Sequence, residues 1–316
     1  MIRKFMIAFI LSVALFSCKD ARVGTADRPF TMYFVPSMDA EKITTGAETL
    51  TKYLEKQISQ KLHGKNSGFV IKSAVPASYV AVVEAFGAKR ADFAAVNAFS
   101  YVLAKDIKKY DVEAVVAVVR GDGEKLYKAQ ILAHADSGIK SIEDLNGKKF
   151  AFVDASSMAG FVLPKKLFND KNIKLGQTVF GQKHDNVVTM IYQKQVDAGA
   201  TYYSPPKGNE VRDARARVKA QYPDIEDKVK IIGFTDETPN EPWILRTGIF
   251  EDANENEKLR SALVEALLAF AATDDGKKTL DSLYNISGLV KTSDAEYEPM
   301  RKMVVEAGVD VAAAVK

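Results

Sequence analysis

Two stretches of the chain place polar groups where a small anion can be held. Asp154 to Gly160, Asp-Ala-Ser-Ser-Met-Ala-Gly, lies between a strand-like run at Lys149 to Val153 and a helical run from about Met158 to Asn169. The first N–H groups of a helix have no intrahelical acceptor and sit at the positive end of its dipole. The N–H groups near Ser157, Met158 and Ala159 therefore suit an oxyanion. Ser156 or Ser157 also suits a plain N-cap, which would satisfy those groups internally. The location favours a ligand, because α/β folds bind ligands beyond the C-terminal ends of their strands. His184-Asp185 opens a second helix after the turn residue Gly181. There an anion contact competes with a capping histidine left exposed, and the helix dipole favours the anion. Asp185 is not placed to orient the imidazole, since adjacent residues on a helix diverge.

Other chemistries lack their parts. No Gly-x-Ser-x-Gly elbow surrounds Ser156 or Ser157, and no P-loop, His-Glu-x-x-His or dinucleotide glycine pattern occurs. The three histidines, His63, His134 and His184, are far apart and there is one cysteine, so neither a zinc cluster nor an internal disulfide is expected. A net charge of +3 with no long Lys or Arg run argues against nucleic acid. The reading is of a binding protein without catalysis and without a cofactor.

The elements that must position these residues alternate. Phe30 to Val35 reads as a strand ended by Pro36, and Ile43, Ala47, Leu50, Tyr53, Leu54 and Ile58 recur at helical spacing. Gly68 to Ile71 reads as strand, Tyr79 to Ala85 as helix, Asp92 to Val96 as strand, Phe99 to Lys105 as helix and Val112 to Val119 as strand. After Gly121-Asp122-Gly123 a second series begins. It runs from a strand at Lys128 to Ala133 through a short helix at Ser141 to Leu145, a helix at Asp185 to Gln193 and a strand near Ala198 to Thr201 to a strand at Val229 to Phe234. Beyond Ile249 helical periodicity dominates, with Leu259, Leu263, Ala266, Leu267 and Phe270 on one face. Such alternation predicts α/β layers, each a mostly parallel sheet flanked by helices. A length of 316 residues suits two domains. The expected division is 29–119 plus 234–316 as one lobe and 120–233 as the other, with two crossings. Strand ends then supply further cleft candidates: Pro36, Ser37 and Met38 after the first strand, Asn97 and Ala98 after the third, and Tyr202 and Tyr203, of which one packs and one reaches the cleft. Trp243 reads as core, because it starts a strand-like run with Ile244 and Leu245.

The N-terminus reads as an address. Arg3 and Lys4 form a basic n-region, and Phe5 to Phe16 is an apolar run too short to span a bilayer stably. Leu15-Phe16-Ser17-Cys18 resembles the lipobox of bacterial lipoproteins, which implies cleavage after residue 17, acylation of Cys18 and anchoring to a membrane rather than spanning it. Residues 18–28 would be a linker. Residues 1–17 contain no acids, so their removal takes the charge from +3 to +1.

Three blocks carry a wider resemblance: YKAQILAHADSGIKSIEDLNGKKFAFVDASSMAGFVLP from Tyr127 to Pro164, GQKHDNVVTMIYQKQVDAGATYY from Gly181 to Tyr203, and DFAAVNAFSYVLA from Asp92 to Ala104. Together they resemble the phosphonate-binding solute receptors of ABC transporters, over about Thr31 to Arg246. The resemblance implies a two-lobed type II periplasmic binding protein fold with the ligand between the lobes. It also implies a small anionic solute (phosphonate, phosphite or phosphate-like), delivery to an ABC permease with its ATPase, and a monomer on the periplasmic side of the envelope. In that family a histidine at the place of His184 contacts the phosphonate. The family's anion loop commonly carries three hydroxyls of Ser-Thr-Ser type, where this chain has Ser157, Met158 and Ala159. At roughly 1.5 to 3 kcal/mol per hydrogen bond to a charged group, losing two without replacement would weaken binding by about two to four orders of magnitude. Lys183 is a candidate replacement donor. Asn97 stands where the family often has Gly, adding an amide for ligand or hinge. Glu241 matches an acid that faces the ligand amine in aminophosphonate-binding relatives, although a solvated acid in the turn Pro239-Asn240-Glu241-Pro242 explains it equally; a second such acid is replaced by Ser204. The same fold also serves a receptor feeding a membrane sensor kinase, or a transporter for a sulfonate or thiamine-like amine.

Overall fold

A computed structural model describes residues 21–306. The expected signal segment and Cys18 lie outside those residues. In chain order the elements are β1 (Phe30–Phe34), α1 (Ala40–His63), β2 (Ile71–Ala74), α2 (Tyr79–Gly87), β3 (Phe93–Ala95), α3 (Ala98–Val102) and β4 (Val112–Val119). A two-residue strand β5 (Leu126–Tyr127) leads to β6 (Ala129–His134), β7 (Phe150–Phe152), α4 (Leu163–Asp170), β8 (Thr178–Phe180), α5 (His184–Tyr192), β9 (Ala198–Tyr202), α6 (Ile225–Lys228) and β10 (Val229–Phe234). The chain returns through β11 (Thr238–Pro239) and β12 (Pro242–Arg246) to α7 (Ala253–Ala272), α8 (Asp274–Tyr284), β13 (Gly288–Lys291) and α9 (Glu298–Glu306).

Local chemistry explains the long elements. Asp39 caps α1 by accepting the N–H groups of Glu41 and Lys42, and Gly64 ends it in the left-handed conformation. The helix buries Ile43, Ala47, Leu50, Leu54 and Ile58, one stripe at helical spacing. That stripe packs with Phe30, Met32 and Phe34 of β1 and with Leu259, Leu263, Leu267 and Phe270 of α7 in one core. Each such side chain contributes roughly 1.5–3 kcal/mol by leaving water.

The strands form two sheets, β13-β4-β12-β3-β1-β2 and β10-β6-β9-β7-β8. Both are mixed, which corrects the expectation of mostly parallel sheets. Strands joined through helices are parallel: β1 with β2 and β3, β7 with β8 and β9. The strands that leave or enter at the crossings pair antiparallel, β12 with β3 and β4, and β6 with β9 and β10. The two crossing segments also pair with each other, β5 against β11, as a short ribbon. Phe234 pairs with Gln130 in the second sheet, so the return crossing starts after it rather than before. The strand expected at Gly68 to Ile71 begins only at Ile71. Gly68 has φ +116°, the Phe69 N–H donates to Ser59 Oγ at 2.9 Å, and the Val70 N–H donates to the Gly24 carbonyl at 2.8 Å, so these residues tie down the N-terminal segment.

Candidate functional site

The ends of β1, β3 and β4 and the residues preceding β12 face the starts of two helices of the second sheet. Between them lies a crevice of about 670 Å³, its mouth included. Its wall contains Ser37, Asn97, Ser157, Met158, Ala159, His184, Tyr202 and Glu241. Ser156 is not part of the wall. It is fully buried, its N–H donating to Asp154 Oδ1 at 2.7 Å and its carbonyl accepting from Asn97 Nδ2 at 3.0 Å.

The helix start is built by Ser157 and Gly160. Ser157 is an N-cap, accepting the Gly160 N–H on Oγ at 3.1 Å, while its own N–H goes to the Asp154 carbonyl at 2.9 Å. Its amide is thus spent internally, and the first-turn amides of Met158 and Ala159 are left as donors without an intrahelical partner. The helix begins as a π turn, Met158–Val162, and continues directly into α4. Gly160 is required by closeness to β7: the Val153 N–H donates to its carbonyl at 3.1 Å, and a Cβ there would strike the Val153 side chain and lie 2.8 Å from Ser157 Oγ.

His184 opens α5 with its N–H directed to the Ser37 carbonyl at 3.5 Å. Its Nδ1 accepts the Tyr202 N–H at 3.4 Å, and its ring meets the Tyr202 ring edge-on at 5.0 Å. Burial, then the charges of Arg120 and Arg217, lower its pKa to about 3. The imidazole is therefore neutral, with its proton assigned to Nε2 as a donor.

Three expectations change in detail. Lys183 is not in the wall, so it is no replacement donor there. Asn97 caps α3, with Oδ1 accepting the Ser100 N–H at 2.7 Å and Nδ2 bound to Ser156, so its amide serves the junction between sheets. Trp243 is core, edge-on to Phe93 at 6.1 Å, yet it also closes the floor of the crevice. Of the tyrosine pair, Tyr202 lines the crevice and Tyr203 packs on Phe234 at 4.9 Å.

Sequence reading did not anticipate Tyr79, Arg120, Tyr127, Arg217 and Tyr284, all in the wall. Arg120 directly follows β4, so the strand-end rule that picked Ser37 and Asn97 applies to it equally. Arg217 lies in a 3-10 turn, Ala214–Val218, and no periodicity marks it. The Tyr79 hydroxyl lies beside both Ser37 and Ser157, and burial followed by the Asp154 charge pushes its pKa far up. Burial likewise raises Tyr127, Tyr202 and Tyr284, keeping these phenols protonated. Arg120 donates through Nη2 to Glu241 Oε1 at 2.8 Å, and through Nη1 to the carbonyls of Tyr284 and Asn285. Arg217 donates to the Ser282 carbonyl at 3.3 Å, Asn285 Oδ1 at 3.1 Å and Tyr202 Oη at 3.4 Å. Two arginines against one glutamate leave the wall with a net positive charge, and its apolar remainder includes Val35, Met38, Val96, Val118 and Ile286. The arrangement suits a small anion with a short tail.

Comparison with known proteins agrees with this geometry. Residues 32–297 match the family model described as ABC transporter, phosphonate, periplasmic substrate-binding protein. The chain is 29% identical over 184 residues to the phosphate-import protein PhnD of Mycolicibacterium smegmatis, 54% of either chain, so it aligns with about half the length of that curated relative. Among solved structures it is similar to a binding protein component of a Pseudomonas aeruginosa ABC phosphonate transporter, with a TM-score of 0.73, 17% identity and coverage of 94% of this chain and 90% of that one. It is also similar to PhnD1 of Prochlorococcus marinus in complex with methylphosphonate, with a TM-score of 0.73, 16% identity and coverage of 88% and 98%. These structural likenesses establish the fold, a two-lobed type II periplasmic binding protein.

Proposed function

The chain belongs to the periplasmic substrate-binding proteins of phosphonate ABC transporters, and from that premise we propose that it captures a phosphonate, phosphite or phosphate in this crevice and presents the closed form to a permease and its ATPase. The observation that carries the proposal is the convergence of the helix start at Met158 and Ala159 with the buried, neutral His184 in one wall that also holds Arg120 and Arg217. The amides remain as donors where the hydroxyls are absent, because a backbone N–H survives any side-chain substitution. Desolvated donors of this kind bind an oxyanion strongly, since the burial that excludes water also strengthens each contact.

Closure is supported by bonds that join the two sheets' surroundings. Asn97 reaches Ser156, His184 reaches Ser37, and Arg217 reaches the end of α8. Arg212 pairs with Asp281 on the same helix, and Asn285 Nδ2 donates to the Arg212 carbonyl. A ligand touching both sides adds its own contacts to this set and so favours the closed state. The lobes of the proposal are residues 29–119 with 235–316, and 120–234. They hinge at the β5–β11 ribbon. The proposal includes export, cleavage before Cys18, acylation of that residue, and action as a monomer tethered at the membrane.

Thermal unfolding with phosphate, phosphite, methylphosphonate, sulfonates and thiamine tests the ligand class. A ligand at 100 times its dissociation constant stabilises the fold by about 2.7 kcal/mol, a shift of a few degrees at this size. The expected result is a shift with one or more of the phosphorus oxyanions. Shifts confined to sulfonates or thiamine would reject the proposed ligand class.

A further inference from the structure

Resting on the receptor reading above, we infer that Arg120 disarms Glu241 as a cation site, so that the crevice prefers phosphonates whose far end is a neutral hydrogen-bond donor and discriminates against those ending in an ammonium. Glu241 lies in the wall, and Tyr79 relates it to the anion corner: the Tyr79 hydroxyl is beside Ser157, and its titration responds to both Asp154 and Glu241. A ligand held by its oxyanion at Met158, Ala159 and His184 therefore shares one wall with Tyr79 and Glu241, and its tail meets the carboxylate there.

An isolated buried carboxylate there would select a cation, because only a counter-charge offsets its lost hydration. This carboxylate already has one. Glu241 Oε1 accepts from Arg120 Nη2 at 2.8 Å, and the guanidinium is fixed in that place because Nη1 is held by the carbonyls of Tyr284 and Asn285. Arg120 is 6% exposed, so it has no room to swing into solvent when a ligand arrives. The other oxygen, Glu241 Oε2, is buried and accepts no hydrogen bond among the described residues. The wall thus holds a carboxylate oxygen without a partner whose charge is already balanced.

An ammonium bonded to Oε2 would stand roughly 5 Å from the Arg120 guanidinium across one carboxylate, with Arg217 as a second cation in the same wall. A hydroxyl makes the same hydrogen bond without that repulsion. The phenols of Tyr127 and Tyr284, kept protonated by burial, add no charge to the same wall.

The test measures dissociation constants by calorimetry for methylphosphonate, 2-hydroxyethylphosphonate and 2-aminoethylphosphonate. The wild-type protein is expected to bind the hydroxyethyl compound about tenfold more tightly than the aminoethyl one. Arg120→Gln should reverse that order, since it frees the glutamate charge. Because that variant leaves a buried charge without its partner, Glu241→Gln provides an independent readout: the ratio of hydroxyethyl to aminoethyl affinity should rise further, as the remaining negative charge is gone. Equal or tighter wild-type binding of the aminoethyl compound overturns the inference while leaving the phosphonate-receptor reading intact. Failure of all three compounds, together with phosphate and phosphite, would remove both.

Discussion

Two parts of the crevice wall are made from different material. Where the proposal places the anion, the wall is the helix start at Met158 and Ala159, packed through Gly160 on Val153, and one neutral imidazole. Elsewhere the polar groups are side chains, Arg120, Glu241 and the tyrosines, brought from beyond the end of β4, the approach to β12 and the end of α8. The first part is tolerant of side-chain identity, which is why Met158 and Ala159 can stand where hydroxyls are usual. The second is sensitive to every substitution. On the proposed reading, affinity for an oxyanion is a property of the backbone, and selectivity among tails a property of the wall.

The contrast can be broken most severely at the wall. Arg120→Ala leaves Glu241, a partly buried carboxylate, without its counter-charge, at a cost of about 2 kcal/mol. Urea unfolding should show that loss, and a cost under about 1 kcal/mol would mean that the pair is a solvated surface contact. The corner is broken by its own geometry: Gly160→Ala drives a Cβ into Val153, an overpacking of about 2 kcal/mol, and should lower oxyanion affinity because it pushes the helix start away from β7. Full affinity in a destabilised Gly160→Ala protein would argue against amides as the binding groups.

A pH experiment sharpens the role of the neutral histidine. His184 has a native pKa of about 3 against about 6.5 in the unfolded chain. Between those values the unfolded chain holds the proton and the native one does not, so stability rises with pH at about 1.4 kcal/mol per unit. Lowering the pH from 6.5 to 5 should then cost about 2 kcal/mol in the wild type and less in His184→Gln. Asp154 and Asp185, whose carboxyl pKa values burial raises, act with the opposite sign but are common to both proteins, so the difference between the unfolding curves reports on His184. Coincident pH slopes would mean that the imidazole titrates freely. The smallest effect is expected from Ala159→Ser: restoring a hydroxyl where the amides already bind should improve affinity for the preferred oxyanion by no more than about tenfold. A gain of a hundredfold or more by calorimetry would mean that the amides contribute little.

Legibility followed the same division. Ser157, Met158, Ala159 and His184 were readable because each sits within a few residues of a strand-to-helix junction, and such junctions are marked by local periodicity and glycine. Ser37, Asn97 and Tyr202 were readable as strand ends. Arg217 was not, since its turn has no periodic signature and its partners, Ser282 and Asn285, are more than sixty residues away. Tyr284 reads as one more core residue at the end of an amphipathic helix. Glu241 was found, but its meaning was left open, because nothing in Pro239 to Pro242 announces an arginine just beyond the end of the neighbouring strand.

The sequence by itself determined the alternation of strands and helices, the two crossings and the helix start at Met158, since all three depend on spacing within short stretches. Only the tertiary structure decided that the sheets are mixed, that Ser156 turns away while Tyr79 turns in, and that Glu241 meets Arg120. Those outcomes depend on which strands become neighbours. Arg120 and Glu241 are 121 residues apart in the chain and 2.8 Å apart in the fold, and a charge acts on whatever is near it in space.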